Sequence, residues 1–314
     1  FTTFTPPQSL FTVYCQFLAT INYSLNMSDI HIIGTGAMAC LWASYFPAGQ
    51  NLHFIQRHTT SETFSFKKNP GGTFIYGQSL TKDTIKSPIK YLIVATKAFD
   101  AQAALDSIQQ HLCSDAQILL LQNGMGSQQT IGQAYNQFSV YACSSTEGAY
   151  KSDKHTLVHA GIGQNNIGPM TKQAKLEKLN LWLPDEHFIW HQDIEPILWK
   201  KLIINSVINP LTVIYQCRNG ELITQPKILQ HMQLICQELD ELLEKLPFQL
   251  QPSYSLALEI CQLTANNYSS MYQDWQNKRP TEINFISGFI VKTCQQYSLP
   301  CPHNKKLLEH IQQL

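Results

Sequence analysis

The feature that most constrains the fold is a glycine turn between a short apolar run and a helical pattern. Residues 29–33 read as a buried strand, and the helical pattern that follows continues through Phe46. Between them stands G-x-G-x-x-A, in which Gly34 permits a tight turn, Gly36 leaves room for a pyrophosphate and Ala39 allows close packing. This order is typical of a dinucleotide-binding fold, although the same motif can be a turn without a ligand. The residues predicted to bind the cofactor here are Gly34, Thr35, Gly36, Ala37, Met38 and Ala39.

The end of the next predicted strand, residues 52–56, indicates which dinucleotide would bind. NAD enzymes place an acidic residue about 20 positions past the glycines to hold the ribose hydroxyls. Here the strand ends in Gln56-Arg57-His58, with no acid. A cation at this position can pair with the 2′-phosphate of NADP. We therefore predict NADP(H) as the cofactor with Arg57 as a contact, while a solvated surface arginine remains the alternative.

Two polar residues follow later strands. Lys97 comes after the apolar run 90–96, and Asn123 comes after a second run at 117–122. In open α/β sheets the carboxyl ends of the strands form the edge where ligands bind, so both residues are candidates for the cofactor site. From position alone, Lys97 could equally extend along the surface, and Asn123 could equally cap the following turn.

The pattern changes from alternating strands and helices to helices alone after Gln192, which predicts two domains. We expect an α/β Rossmann-type dinucleotide-binding domain over 27–192 and an all-α substrate-binding and catalytic domain over 193–314. Residues 1–26 form an N-terminal extension outside the fold. Further strands are predicted at 140–145, 156–158 and 165–167, and helices at 98–112, 172–181, 194–209, 227–246, 253–266, 282–297 and 304–313.

Composition limits the partners. The chain has 22 basic and 22 acidic residues, so it offers no excess of cations to a nucleic acid. Nine scattered cysteines without a C-x-x-C pair favour reduced thiols and a cytoplasmic location. Residues 1–26 carry no charged side chain and no histidine, and their apolar stretch is too short to span a bilayer. We expect no membrane association, with a membrane-contacting or targeting role of residues 1–26 as the alternative.

Polar side chains gather in three places of the helical half. Lys201, Asn205 and Asn209 are spaced four residues apart and share one face of an otherwise apolar helix, which predicts a pocket rather than a solvent face. Residues 266–274 are rich in hydroxyls and amides, although Ser269 or Ser270 could simply cap a helix. Glu282 lies where a helix is predicted to open and would suit its dipole in any case.

Taken in order, these motifs resemble the ketopantoate reductase family, and the similarity runs from Met27 to the C-terminus. The motifs are G-T-G-A-M-A at 34–39, Arg57, T-K-A-F at 96–99, Q-N-G-M-G at 122–126, W-K-K-L-I-I-N-S-V-I-N-P-L-T at 199–212, N-G-E-L at 219–222, N-Y-S-S-M-Y-Q-D at 267–274 and T-E-I-N at 281–284. The glycine turn is generic, whereas the 199–212 and 267–284 motifs are specific.

The resemblance implies an NADPH-dependent reduction of ketopantoate (2-dehydropantoate) to pantoate, on the route to pantothenate and coenzyme A. It makes Lys201 the catalytic lysine, Glu282 the substrate-orienting glutamate and a cofactor contact, and Asn123 the asparagine between nicotinamide and lysine. The implied substrate-binding residues are Asn205, Asn209, Asn267 and Ser270. Arg57 and Lys97 match the pair that faces the adenosine phosphate.

Reduction of a ketone by hydride builds negative charge on oxygen, which an ammonium can neutralise or protonate. A free lysine has a pKa of about 10.4. Burial of Lys201 would lower that pKa and a nearby Glu282 would raise it, so the sequence leaves the balance open.

Other activities remain alternatives: an NADPH-dependent reductase of another 2-keto acid, or a non-catalytic NADP(H) sensor, against which the retention of Lys201 and Glu282 argues. Ala39 and Asn284 depart mildly from the family pattern. We expect a monomer or homodimer and no metal, since the His155/His159 and His187/His191 pairs have no supporting cysteine or carboxylate cluster.

Overall fold

A computed structural model describes residues 28–59 and 61–314, so the predicted extension 1–26 lies outside the described residues. The first part of the described chain forms an eleven-stranded sheet with short helices, and the second part is helical. The α/β and all-α prediction is confirmed. The strands are β1 (Ile30–Ile33), β2 (Leu52–Ile55), β3 (Thr63–Asn69), β4 (Thr73–Leu80), β5 (Ile89–Val94), β6 (Leu112–Leu120), β7 (Ser139–Ser145), β8 (Gly148–Asp153), β9 (Thr156–Gly161), β10 (Asn165–Pro169) and β11 (Ile189–Trp190).

The centre of the sheet is parallel. Its strand order is β11-β10-β7-β6-β5-β1-β2-β4-β3-β9-β8, and the neighbours from β7 to β4 all run in the same direction. In β1 every residue is buried, as expected for a strand covered on both faces. The helices of this part are α1 (Ala37–Ala43), α2 (Ala98–Asp106), α3 (Ser127–Ala134) and α4 (Leu176–Leu179). Because the central strands are parallel, the segments that follow β1, β2, β5, β6 and β7 meet at one edge.

Two hairpins were not predicted. Strands β3 and β4 pair antiparallel, and β9 pairs parallel with β3 and antiparallel with β8. The β8–β9 hairpin packs against α1, so Ala39 to Ala43 are all buried. The sequence predicts that α1 packs on the sheet, and the hairpin on its other side explains why its residues are apolar all round.

Several predicted helices in the sheet part are too long. Helix α1 ends at Ala43 rather than Phe46, because Ser44 closes it with backbone bonds to Cys40 and Leu41. Helix α2 ends at Asp106 rather than Leu112, where β6 begins. The helix predicted over 172–181 is reduced to the single turn α4. Thr171, which precedes the predicted helix, donates from its hydroxyl to the carbonyl of Phe138.

The second part contains α5 (Glu195–Tyr215), α6 (Pro226–Leu243), α7 (Ser253–Leu263), α8 (Ser270–Gln276), α9 (Ser287–Gln296) and α10 (Pro302–Gln312). Helix α5 was predicted from its apolar spacing to end at Asn209, but it continues through Pro210 to Tyr215. A proline inside a helix loses one backbone hydrogen bond. Here the turn around Pro210 is buried, and the Thr212 hydroxyl donates to the Asn209 carbonyl.

The helix predicted over 282–297 is also corrected. A 3₁₀ turn at Ile283–Phe285 comes first, and Ile286, with φ −108° and ψ −91°, separates it from α9. Glu282 therefore does not lie in the first turn of α9. Ser269 caps α8 by accepting a hydrogen bond from the Tyr272 backbone, as the cap interpretation predicted.

The two parts are packed against each other. Met125 and Ala142 of the sheet part belong to the same apolar core as the buried residues of α5 and α9. The Met125 backbone donates to the Phe285 carbonyl at 2.8 Å. Among the described residues, α5 is the one helix long and apolar enough to cross a bilayer by length and composition, and 67% of its most apolar window is buried inside the protein.

Candidate active site

The glycine turn lies between β1 and α1, where the sequence predicts a dinucleotide. Gly34 has φ +105°, a left-handed conformation that favours glycine, and its backbone N–H donates to the Ile55 carbonyl at the end of β2. A Cβ at Gly36 would meet no atom within 4 Å, and Gly36 supplies no side-chain cap to α1. Ala39 is fully buried. The turn thus presents open space and helix N–H groups, an arrangement that fits the phosphates of a dinucleotide.

The glycine turn is also contacted by a lysine to which the sequence analysis assigned no role. Lys151 of β8 donates from Nζ to the Thr35 carbonyl at 3.2 Å, and its ammonium lies 5.3 Å from the centre of the Phe64 ring. Only the hairpin pairing brings β8 to α1, so no local sequence signal marks Lys151.

Arg57 follows β2 at the same edge. Its side chain is 77% exposed, and its Nη2 lies 2.5 Å from Oδ1 of Asp100 in the first turn of α2. The contact with Asp100 was not foreseen from the sequence, and the role of Arg57 toward a phosphate stays a prediction.

Lys97 precedes α2 and is tied to the helical part. Its Nζ donates to Asp274 Oδ2 at 2.6 Å and lies 3.4 Å from Glu282 Oε2. Burial alone would lower the pKa of Lys97, but the Glu282 and Asp274 charges outweigh it and raise the pKa above its ordinary value. Asp274 also accepts from Arg279 Nε at 3.0 Å. Lys97 therefore bridges the two parts as well as lying near the ligand-binding edge.

Lys201 and Asn123 come together. Lys201 on α5 donates from Nζ to Asn123 Oδ1 at 2.7 Å and to the Ser145 carbonyl at 2.6 Å. Asn123 follows β6, and Ser145 is the last residue of β7, which runs parallel to β6, so the ammonium lies at the ligand-binding edge. Its removal from water lowers the pKa of Lys201, against the opposing influence of Cys143 and Glu282. The effect of burial on the pKa of Lys201 thus exceeds that of Glu282, a question that the sequence left open.

Glu282 is buried and faces the start of α2 rather than Lys201. Its Oε1 accepts from the Ala98 backbone at 3.0 Å, and its Oε2 contacts the Lys97 ammonium. A carboxylate at a helix N-terminus is favoured by the exposed N–H groups there. Glu282 thus acts on Lys201 through its charge and not through a hydrogen bond.

The four predicted substrate contacts lie on α5 and at the start of α8, which packs against α5. Asn205 and Asn209 lie one and two turns after Lys201 on α5, and Asn209 is 5% exposed. Asn267 and Ser270 are exposed at the start of α8, which is fixed to α5 by the contact between the hydroxyls of Ser269 and Thr212 at 2.6 Å. Within 28–59 and 61–314 the side chains of these four predicted residues form no hydrogen bond with the protein, so their polar atoms are available to a ligand.

Sequence reasoning assigned no role to Asn219, although it lies in the quoted N-G-E-L motif. Its Nδ2 donates to Thr264 Oγ1 at 2.8 Å and its backbone N–H donates to the Asn267 carbonyl, whereas its Oδ1 is buried without a partner among the described residues. A buried unpaired amide oxygen is costly. The backbone bond to the Asn267 carbonyl makes Asn219 a residue that holds one of the predicted substrate contacts in place.

Comparison with known proteins gives matches over most of the chain. The profile of the family described as Ketopantoate reductase PanE/ApbA matches residues 30–172, and that of its C-terminal region matches residues 193–314. A 2-dehydropantoate 2-reductase of Escherichia coli O157:H7 is 32% identical over 246 residues, covering 76% of this chain and 78% of the relative. One of Vibrio cholerae is 28% identical over 293 residues, covering 91% and 97%.

Solved structures agree. The probable 2-dehydropantoate 2-reductase from Bacillus subtilis is 27% identical, with a TM-score of 0.76 and coverage of 91% of this chain and 99% of that chain. D-mandelate dehydrogenase, solved with NADH and anilino(oxo)acetate, has a TM-score of 0.79 at 20% identity, covering 91% and 97%, and shares the fold. On the profile matches and the identity to curated relatives, the chain belongs to the ketopantoate reductase family.

Proposed function

We propose that this protein reduces 2-dehydropantoate to pantoate with NADPH; the curated relatives carry the name 2-dehydropantoate 2-reductase. The observation that carries the proposal is the Lys201 ammonium, held at 2.7 Å from Asn123 at the strand edge that also bears the glycine turn. A proton donor, an amide that orients it and a dinucleotide turn are the parts that a carbonyl reduction needs.

In the proposed reaction, bound NADPH supplies a hydride to the keto carbon. Lys201 donates a proton from Nζ to the keto oxygen as negative charge develops there, and the neutral amine is reprotonated from solvent. Asn123 Oδ1 and the Ser145 carbonyl fix the direction of the ammonium. The lowered pKa of Lys201 makes it a stronger acid than a solvated lysine and brings it nearer to the operating pH.

The remaining site residues hold the two ligands. Asn205, Asn209, Asn267 and Ser270 bind the carboxylate and hydroxyl of the substrate with neutral donors. Glu282, which lies against the start of α2, orients the substrate and contacts the cofactor.

For the cofactor, Gly34, Thr35, Gly36, Ala37, Met38 and Ala39 hold the pyrophosphate, with Lys151 adding a positive charge. Arg57 and Lys97 face the adenosine phosphate. We therefore propose NADP(H) as the cofactor and expect no metal.

We also propose a division of work between residues 27–192, which bind the cofactor, and 193–314, which bind the substrate and supply Lys201. The partner is a small 2-keto acid rather than a nucleic acid or a membrane, the location is cytoplasmic, and the protein acts as a monomer or homodimer.

The test is to mix the purified protein with NADPH and a panel of 2-keto acids and to follow the loss of absorbance of NADPH. We expect turnover with 2-dehydropantoate to exceed that with acids that lack its hydroxyl. Preference for another acid would replace the substrate. No turnover with any acid, together with tight NADPH binding, would favour a sensor.

A further inference from the structure

The ion pair between Arg57 and Asp100 lies where the cofactor phosphate is proposed to bind. Arg57 Nη2 and Asp100 Oδ1 are 2.5 Å apart, with side chains 77% and 35% exposed. Asp100 occupies the first turn of α2, three residues after Lys97, and its backbone N–H donates to the Lys97 carbonyl. A carboxylate is thus fixed beside the cation that would select a 2′-phosphate.

The wider surroundings of the α2 N-terminus are charge-balanced. Three carboxylates lie there, each within contact of a cation: Asp100 with Arg57, Asp274 with Lys97 and Arg279, and Glu282 with Lys97. A 2′-phosphate carries a charge of about −1.5 to −2 at neutral pH, on the scale of other phosphate monoesters. A bound 2′-phosphate would meet cations that already have anionic partners. Of the three carboxylates, Asp100 is the most exposed, and its partner is Arg57.

We infer that Asp100 is a specificity-determining residue that competes with the 2′-phosphate for Arg57 and so weakens the preference for NADPH over NADH. The inference rests on the proposed function. To bind the phosphate with two N–H groups, the guanidinium must give up or share its contact with Asp100. The carboxylate then lies close to the phosphate and repels it, whereas the free 2′-hydroxyl of NADH carries no charge to repel and can donate a hydrogen bond to a carboxylate.

The size of the effect follows from the exposure of the pair. Exposed ion pairs contribute little, so the phosphate can displace Asp100, and salt screens the remaining repulsion. Asp100 should therefore lower the affinity for nucleotides that carry a 2′-phosphate by several-fold without abolishing their binding.

The test is calorimetric titration of the whole protein with 2′,5′-ADP and with 5′-AMP, two ligands that differ only in the 2′-phosphate. For Asp100→Asn we expect the Kd for 2′,5′-ADP to fall about three- to tenfold and the Kd for 5′-AMP to change less than twofold. Asp115→Asn is the matched control, since it removes one surface carboxylate that pairs with Lys90 at 2.8 Å. It should leave both Kd values unchanged.

An unchanged or increased Kd for 2′,5′-ADP in Asp100→Asn would overturn the inference, because Asp100 would then be inert or would position Arg57 for the phosphate. Equal tightening of both ligands would overturn it as well. Arg57→Ala separates this failure from that of the proposed cofactor site. If Arg57→Ala leaves the ratio of the two Kd values at its wild-type level, Arg57 does not contact the phosphate, and the cofactor assignment falls together with the role of Asp100.

Discussion

Lys201 combines an apolar setting with two close oxygen acceptors. Loss of water lowers its pKa, and the acceptors at Asn123 and Ser145 are neutral groups that orient the ammonium without fully restoring its charge stabilisation. An anion directly bonded to the ammonium would stabilise the proton and weaken the acid. Glu282 accepts its hydrogen bonds from Lys97 and from the Ala98 backbone and not from Lys201, which suits Lys201 as a proton donor.

Replacing Lys201 by alanine should lower kcat by at least about 100-fold, the size of a general-acid contribution, while the KM for NADPH changes little. Steady-state kinetics measures both constants. Lys200→Ala is the control, since Lys200 is the exposed neighbour on α5 and should keep near-normal kcat. A near-normal kcat for Lys201→Ala would exclude Lys201 as the acid.

The pH dependence of kcat/KM should report the same proton. Lys201 acts in its protonated form, so the rate falls as pH rises through its pKa, and the lowered pKa places this fall below that of an ordinary lysine. Asn123→Asp puts a negative charge beside Nζ, which raises the pKa and should move the fall to higher pH by about one unit or more. Asn123→Ala adds no charge and should give no upward movement. If kcat/KM fell at the same pH in Asn123→Asp as in the wild type, the titrating group would not be Lys201.

At the scale of elements, Gly36 in the turn after β1 and Gly124 in the turn after β6 have different structural roles. Gly36 faces open space, whereas a Cβ at Gly124, which has φ +76°, would overlap the Phe285 carbonyl of the helical part. One glycine keeps room for a ligand, and the other allows the two parts of the chain to approach.

Gly36→Ala should fold with a wild-type Tm and bind NADPH roughly tenfold or more weakly, because its methyl enters the pyrophosphate space. Gly124→Ala should lower the Tm by several degrees, since both the positive φ and the overlap oppose the native state. Thermal unfolding and fluorescence titration distinguish them. Weak NADPH binding by Gly124→Ala with an unchanged Tm would contradict this division.

The sequence could predict elements whose signal is local. The strand, glycine turn and helix around Gly34, the strand ends at Lys97 and Asn123, and the helical second half all follow from short-range patterns. The β8–β9 hairpin could not be foreseen in the same way, because its place is set by pairing with β3, far away in the chain. The partners of Lys97 and Arg57 depend on the same long-range packing, and the run of α5 through Pro210 depends on burial that outweighs a local rule.

For the whole molecule, the bridge of Lys97, Asp274 and Arg279 joins the two parts beside the site. Asp274 is 5% exposed and binds one cation from each part of the chain. Removing the charge of Asp274 leaves Arg279 without this anionic partner and Lys97 with Glu282 alone, which costs more than the loss of a surface pair.

Asp274→Asn should lower the free energy of unfolding by about 1–3 kcal/mol, a value reduced from that of a fully buried pair because Lys97 is 39% exposed. Urea denaturation measures it. Asp115→Asn, which breaks the exposed pair with Lys90, should cost less than about 0.5 kcal/mol. Equal costs for the two variants would show that Asp274 contributes no more than a surface charge.

The hairpin over α1 has a consequence for synthesis of the chain. Residues of β3 are made long before those of β9, with which they pair, and α1 lies under the hairpin that β9 completes. On the ribosome the nucleotide turn therefore stays partly uncovered until β9 has emerged, since pairing between distant segments is slow to form. A nascent chain halted before Thr156 should be digested by protease around α1, whereas one halted well after Gly161 should resist.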